Sequence, residues 1–163
     1  MGAPTSPVIS NFTCFMLDRK LMRFVQTNAL KFTRYADDLT FSTSAEIKAQ
    51  HLQDILQIIE SEKFRINETK SRVQRQTGRM LVTGLKVNER VNVNRKYIRN
   101  IRAMLNNWAT HGLVKAAERN NNQIQFLNIL KGKLDFLCMV RGKNDAIYQK
   151  LHEKFWNLQQ ELV

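Results

Sequence analysis

Two adjacent carboxylates, Asp37 and Asp38, sit between short runs of aromatic and β-branched residues: Phe32-Thr33-Arg34-Tyr35 before them and Leu39-Thr40-Phe41-Ser42 after. Such runs favour strands, so the segment Leu30 to Ser42 predicts a strand, a tight turn carrying the charges, and a second strand. The chain before it predicts a helix. Val8, Phe12, Phe15, Met16, Leu21, Met22 and Val25 recur at helical spacing, and Arg19, Lys20 and Arg23 lie largely off that stripe. Ser6 is expected to cap this helix and Pro7 to occupy its first turn, giving one amphipathic helix from about Pro7 to Thr27. After the hairpin, Thr43 to Glu46 matches a capping box. Ile47, Leu52, Ile55 and Ile59 then supply a stripe for a helix ending near Lys63, which should cover one face of the hairpin.

Farther on, Phe64 to Asn67 and Arg72 to Arg75 are expected as short strands, with a turn at Gln76 to Arg79 and a strand at Met80 to Val82 that Gly84 interrupts. From Arg95 the pattern is helical, over about Arg95 to Trp108, Ile124 to Met139 with a break at Gly132, and Asp145 to Leu162. Asn120 to Gln123 reads as a loop. The sequence thus predicts an α+β chain divided near Asn94, with an antiparallel sheet and covering helices over residues 1–94 and an all-helical part over 95–163.

Composition narrows the function. The 163 residues are about one domain's worth, and 43% are apolar, enough for a core. With 26 basic and 14 acidic side chains the net charge is +12, which points to a polyanionic partner. Met1 to Asn94 carries 14 basic and 9 acidic residues, and Arg95 to Val163 carries 12 and 5. No window approaches the roughly 20 apolar residues of a membrane span, and the first residues lack a signal-peptide pattern. A soluble, intracellular protein with no membrane partner is expected. Cys14 and Cys138 are too few for a disulfide framework or a four-ligand zinc site and read as buried free thiols. His51, His111 and His152 have no metal-ligand spacing, and Trp108, Phe155 and Trp156 read as packing residues.

Paired carboxylates at a hairpin tip concentrate negative charge that a hard divalent cation such as Mg²⁺ with oxygen ligands would neutralise. In two-metal phosphoryl transfer such ions lower the charge barrier between a 3′-hydroxyl and an incoming triphosphate. The order of motifs then resembles the reverse transcriptase family, in the bacterial branch of retrons and group II introns. Gly2-Ala3-Pro4-Thr5-Ser6-Pro7 is similar to the template and nucleotide contact motif, and Tyr35-Ala36-Asp37-Asp38 to the catalytic hairpin. Ile66-Asn67-Glu68-Thr69-Lys70 is similar to the next palm motif, and Val82-Thr83-Gly84-Leu85-Lys86-Val87-Asn88 to the primer grip. Leu130 to Leu137 is similar to a thumb stretch. The departures lie at the start. The fingers and the first palm strand, with its third catalytic aspartate, would precede Gly2, and Met1 stands where the family usually has Gln.

The resemblance implies a palm and thumb portion of an RNA-directed DNA polymerase in the bacterial cytoplasm. Asp37 and Asp38 would hold two Mg²⁺ ions, and Lys70 would act near the triphosphate. Ala3, Pro4, Thr5, Ser6 and Tyr35 would contact nucleotide or template, and Thr83, Gly84 and Leu85 the primer. Gly84 is expected as a bulge allowing close approach of the primer backbone. Arg95, Lys96, Arg99 and Arg102 recur on one helix face and would track the backbone of a template and primer duplex. Partners implied are an RNA template, an RNA/DNA duplex, dNTPs and the missing fingers and palm segment, in cis or in trans. Phage defence or element mobility would be the biological role. Asp18, the only acidic residue before the hairpin, lies in the helical pattern and is not expected as the third ligand. The isolated chain is expected to be inactive, and its uncovered palm edge to promote self-association. A second reading remains open: a non-catalytic nucleic-acid-binding module, remnant or partner subunit of a split enzyme.

Overall fold

A computed structural model describes residues 3–120 and 125–162. Gly2 of the Gly-Ala-Pro motif, most of the expected loop at Asn120 to Gln123, and the expected helix start at Ile124 lie outside the described residues. The architecture is α+β, as the patterning implies: α1 (Ser6–Thr13), α2 (Phe15–Thr27), β1 (Lys31–Tyr35), β2 (Asp38–Ser42), α3 (Ala49–Ser61), β3 (Leu81–Val82), β4 (Leu85–Lys86), α4 (Arg95–Arg119), α5 (Phe126–Arg141) and α6 (Ala146–Gln160). The chain forms two compact units that divide between Val73 and Gln74, so the β3–β4 hairpin belongs to the same unit as α4 to α6.

In the first unit the expected single helix is two. The backbone leaves helical geometry at Cys14 (φ −85°, ψ 0°), which caps α1 and opens α2. Ser6 does not cap: Thr5 holds the N-cap position without a side-chain hydrogen bond, and Ser6 is already helical, its N–H donating to Ala3 O at 2.9 Å. The apolar stripe divides with the helix. Leu17, Leu21 and Val25 of α2 are buried, whereas α1 buries nothing and leaves Val8, Ile9 and Phe12 exposed, Phe12 at 79%. Phe15, Met16 and Met22 are exposed as well.

β1 and β2 pair antiparallel, with Phe32 opposite Phe41, Arg34 opposite Leu39 and Tyr35 opposite Asp38. Side chains alternate along a strand, so Phe32 and Arg34 face one way and Thr33 and Tyr35 the other. Phe32 stacks on Phe41 at 5.1 Å between ring centroids, and Phe32, Leu39 and Phe41 pack on a core of Leu17, Leu21, Ile55 and Ile59. α2 lies against β1 and α3 against α2. Lys20 pairs with Glu62 at the rim of that helix pair. α3 starts five residues later than the capping box at Thr43 predicts, with Lys48 at the N-cap position. The Thr43 hydroxyl instead accepts from Ala45 N at 3.1 Å and donates to Ala29 O, and His51 Nδ1 accepts from the Lys48 N–H. Phe64 to Asn67 and Arg72 to Arg75 are not strands. Neither segment pairs with a strand among the described residues, and between them Asn67 O accepts from the N–H groups of Lys70 and Ser71, which makes a turn.

The second unit has a larger core. Ile98, Ile101, Met104, Leu105 and Trp108 of α4 meet Phe126, Leu130, Leu134 and Leu137 of α5 and Leu151 and Phe155 of α6. Trp108 stands edge-on to Phe126 at 6.3 Å and to Phe155 at 5.8 Å, an arrangement that suits the ring quadrupoles. α4 runs past Trp108 to Arg119 because the chain breaks and restarts at Gly112, whose φ of 78° few other residues adopt. Gly132 does not break α5. Cys14 is buried as expected, and Cys138 is half-buried. No helix among the described residues is long and apolar enough to cross a membrane.

Asp145 caps α6, accepting from the N–H groups of Ile147 and Tyr148 at 3.0 Å, and forms an ion pair with Arg141 at 2.7 Å. Hydrogen bonding from Arg141 first, against the cost of burial, and the two backbone donors hold its carboxyl at about 2, below the ordinary 3.8. A folded pKa below the unfolded one gives stability that is complete above about pH 4 and is lost as pH falls through 2. Between pH 6 and pH 2.5, urea titrations should show the wild type losing about 1.5 kcal/mol more than Asp145→Asn.

Candidate active site

The tip of the β1–β2 hairpin is a two-residue turn, Ala36-Asp37, closed by the Tyr35–Asp38 pair. Two-residue hairpin turns demand a positive φ at one or both central positions, and Ala36 supplies it at +53°. Tyr35, Ala36, Asp37 and Asp38 are all exposed, Tyr35 at 72%. Neither carboxylate has an ion-pair partner among the described residues. The hairpin therefore presents two adjacent oxygen-donor groups to solvent.

Arg34 supports this turn from behind. Its Nη1 donates to Ala36 O at 3.0 Å, its Nε to the Asp18 carboxylate at 2.8 and 3.1 Å, and its Nη2 to Asp18 at 2.7 Å and to Asn11 Oδ1 at 3.2 Å. The side chain is 10% exposed and that of Asp18 31%. Hydrogen bonding to Asp18 raises the Arg34 pKa above its ordinary value, more than burial lowers it. Both Asp18 oxygens thus accept from the Arg34 guanidinium. The strand pattern alone gave Arg34 no role. The available signal was its alternation with Phe32, which turns it toward α2 and the only acidic residue there.

The other sequence-derived candidates fall in four places. Ala3, Pro4, Thr5 and Ser6 form an exposed turn into α1. Lys70 ends the Asn67–Lys70 turn, exposed and with no ion-pair partner among the described residues. All of these belong to the first unit. Thr83, Gly84 and Leu85 and the α4 cations belong to the second.

Thr83 and Gly84 form a two-residue hairpin turn with φ of +47° and +85°, as the turn twisted to match a hairpin requires. Gly84 is therefore a turn residue joining β3 to β4, and not the bulge expected in a continuing strand. The β-branched Thr83 is strained at its φ. Leu85 packs on the second unit's core. Asn tolerates left-handed backbone far better, so Thr83→Asn should stabilise this unit by about 1 kcal/mol in chemical denaturation.

Arg95, Lys96, Arg99 and Arg102 are exposed on the first turns of α4, while Ile98, Ile101, Met104 and Leu105 are buried on the opposite side. Asn94 caps that helix through Lys96 N at 3.1 Å. The residues from Gln74 onward include 16 basic and 6 acidic side chains, so +10 of the +12 net charge lies in the second unit. Its only ion pair among the described residues is Arg141–Asp145.

Among the described residues no three His, Cys, Asp or Glu side chains are placed to hold a metal together. The turn itself fits Mg²⁺. That ion is hard, takes oxygen ligands, and is commonly held by one or two carboxylates with substrate phosphates and water completing the shell.

Residues 1–127 match the family described as reverse transcriptase (RNA-dependent DNA polymerase). The chain is 37% identical to the retron Mx162 reverse transcriptase of Myxococcus xanthus over 93% of its own length and 34% of that protein's. It is 37% identical to the retron Mx65 reverse transcriptase of the same organism, over 71% of the chain and 27% of the relative. The same identity holds with the retron Ec86 reverse transcriptase of Escherichia coli, over 64% and 33%. The matches thus span between 27% and 34% of these relatives. With the exposed Tyr-Ala-Asp-Asp hairpin and a strongly basic helical unit, these similarities place the chain in the reverse transcriptase family, in its bacterial retron-type branch.

Proposed function

We propose that the chain is the palm and thumb portion of an RNA-directed DNA polymerase, with the palm extending to Asn94 and the thumb starting at Arg95. The carrying observation is the exposed Asp37-Asp38 pair at a turn whose backbone is held by Arg34. Asp37 and Asp38 would hold two Mg²⁺ ions, which when bound offset the charge developing between a primer 3′-hydroxyl and the dNTP triphosphate. Tyr35 stands beside the pair as a platform for the nucleotide sugar. Ala3 to Ser6 contact template or nucleotide, and Lys70 offers a point charge to the departing pyrophosphate. Thr83 to Leu85 hold the primer. A further carboxylate comes from a segment in cis or in trans, so the isolated chain is inactive and its exposed α1 face promotes self-association. The biological role would be phage defence or element mobility.

Arg95, Lys96, Arg99 and Arg102 follow the duplex backbone. Replacing Arg99 or Arg102 by Ala should weaken RNA/DNA duplex binding at every sequence, and each should reduce the slope of log K against log salt by about 1. The deciding experiment is primer extension on an RNA template with Mg²⁺, using the chain alone and mixed with a fingers-bearing fragment of a retron relative. Extension only in the mixture, abolished by chelation, is expected. Retained duplex binding with no extension in either case would favour the second reading, a non-catalytic nucleic-acid-binding module, which the concentration of charge in the second unit also supports.

A further inference from the structure

We propose that Arg34 is the positioning residue of the carboxylate turn, fixing through the Ala36 carbonyl where Asp37 and Asp38 point. The inference rests on the reading of that turn as a metal site and goes beyond it by naming what aims the carboxylates. One guanidinium serves three elements at once: Ala36 O in the turn, the Asp18 carboxylate on α2 and Asn11 on α1.

The carbonyl bond matters most. Ala36 O belongs to the peptide plane that joins Ala36 to Asp37, so holding it fixes the direction in which Asp37 leaves the backbone. Ala36 sits at a φ of +53°, a conformation that an L-residue keeps only when its surroundings impose it. Without the Nη1 bond the plane can rotate and the turn can relax, carrying both carboxylates with it. Asp18 in turn fixes the guanidinium, by a fork with short contacts to both of its oxygens. The same contacts keep the Asp18 charge away from a cation at the turn. Lysine cannot replace this arrangement, because a single ammonium lacks the planar fork that reaches the carboxylate and the carbonyl together.

The test uses the full ¹⁵N-labelled chain with Arg34→Lys and Asp37→Asn. Backbone order parameters at residues 36–38 are read without metal, and Mn²⁺ titration shows which amides the ion broadens. In Arg34→Lys the order parameters at residues 36–38 should fall from about 0.85 to below about 0.6, while those of α2 and α3 are unchanged. The Mn²⁺ concentration for half-broadening at the turn should rise on the order of tenfold. A merely structural ion pair to Asp18 survives the exchange of guanidinium for ammonium, so wild-type order and wild-type Mn²⁺ response in Arg34→Lys overturn the proposal. If wild-type broadening at the turn is unaffected by Asp37→Asn, the metal reading fails, and the order parameters still decide the role of Arg34. One wild-type measurement is independent of any variant's folding: the Arg34 side-chain N–H protons should exchange more slowly than those of exposed Arg99. Equal rates would also overturn the proposal.

Discussion

Asp37→Asn will reduce primer extension by the completed polymerase about a thousandfold while leaving the protein folded and duplex binding intact. Each part of that expectation has its own cause. The substitution keeps shape and hydrogen-bonding capacity but removes a formal charge from the pair that would hold Mg²⁺. Losing roughly 4 kcal/mol of stabilisation from the charged transition state corresponds to about three decades in rate. Stability should move by no more than about 0.5 kcal/mol, because Asp37 is an exposed turn residue with no ion-pair partner among the described residues. Removing one of two adjacent like charges even relieves repulsion. Duplex binding should persist because +10 of the net charge lies in the unit beginning at Gln74. Single-turnover extension, thermal melting and duplex titration on the same preparation check all three. Extension within tenfold of wild type would remove Asp37 from the catalytic site.

Trp108→Ala will produce the largest loss of stability. Trp108 is 3% exposed at the junction of α4, α5 and α6, in edge contact with Phe126 and Phe155. Truncating a buried aromatic costs about 3 to 5 kcal/mol, part of it lost transfer energy and part the cavity left behind. Against a total of about 5 to 15 kcal/mol for a folded domain, that is enough to leave the helical unit partly unfolded at 37 °C. Trp156→Phe is the control: Trp156 is 40% exposed, and its Nε1–H donates to His152 Nε2, so the expected loss is under about 1 kcal/mol. Urea unfolding followed by far-UV circular dichroism separates the two. Loss of duplex binding in Trp108→Ala at temperatures where its helices have melted would tie the basic face to this core.

How much of this was legible in the sequence depended on the range of the interactions involved. The Asp37-Asp38 hairpin could be read because strand propensity, alternation and turn chemistry all act within a dozen residues. The α4 stripe could be read for the same reason, since its buried and basic residues recur at one period. The break at Cys14 could not: the apolar stripe runs through it, and only the burial of Leu17 and Leu21 against Ile55 and Ile59, with α1 left out, shows two helices. The strands expected at Phe64 to Asn67 and Arg72 to Arg75 had suitable composition but no partner strand among the described residues, and local composition does not reveal a missing partner. Gly84 was recognised as special for the right backbone reason and placed in the wrong element, because a turn and a bulge ask for the same left-handed residue. Arg34 was invisible as a site residue since its contacts reach back 16 and 23 positions along the chain.

The most direct test of the account is to replace Mg²⁺ by Fe²⁺ in the polymerase bound to an RNA/DNA duplex and dNTP. Ascorbate and peroxide then generate hydroxyl radicals at the ion, and the cut positions in the chain are mapped. Cleavage between Tyr35 and Leu39, suppressed by excess Mg²⁺ and absent when Asp37 and Asp38 are both replaced by Asn, is the predicted result. Cuts elsewhere in the chain with none at the turn, or cuts at the turn that persist in the double variant, would contradict it.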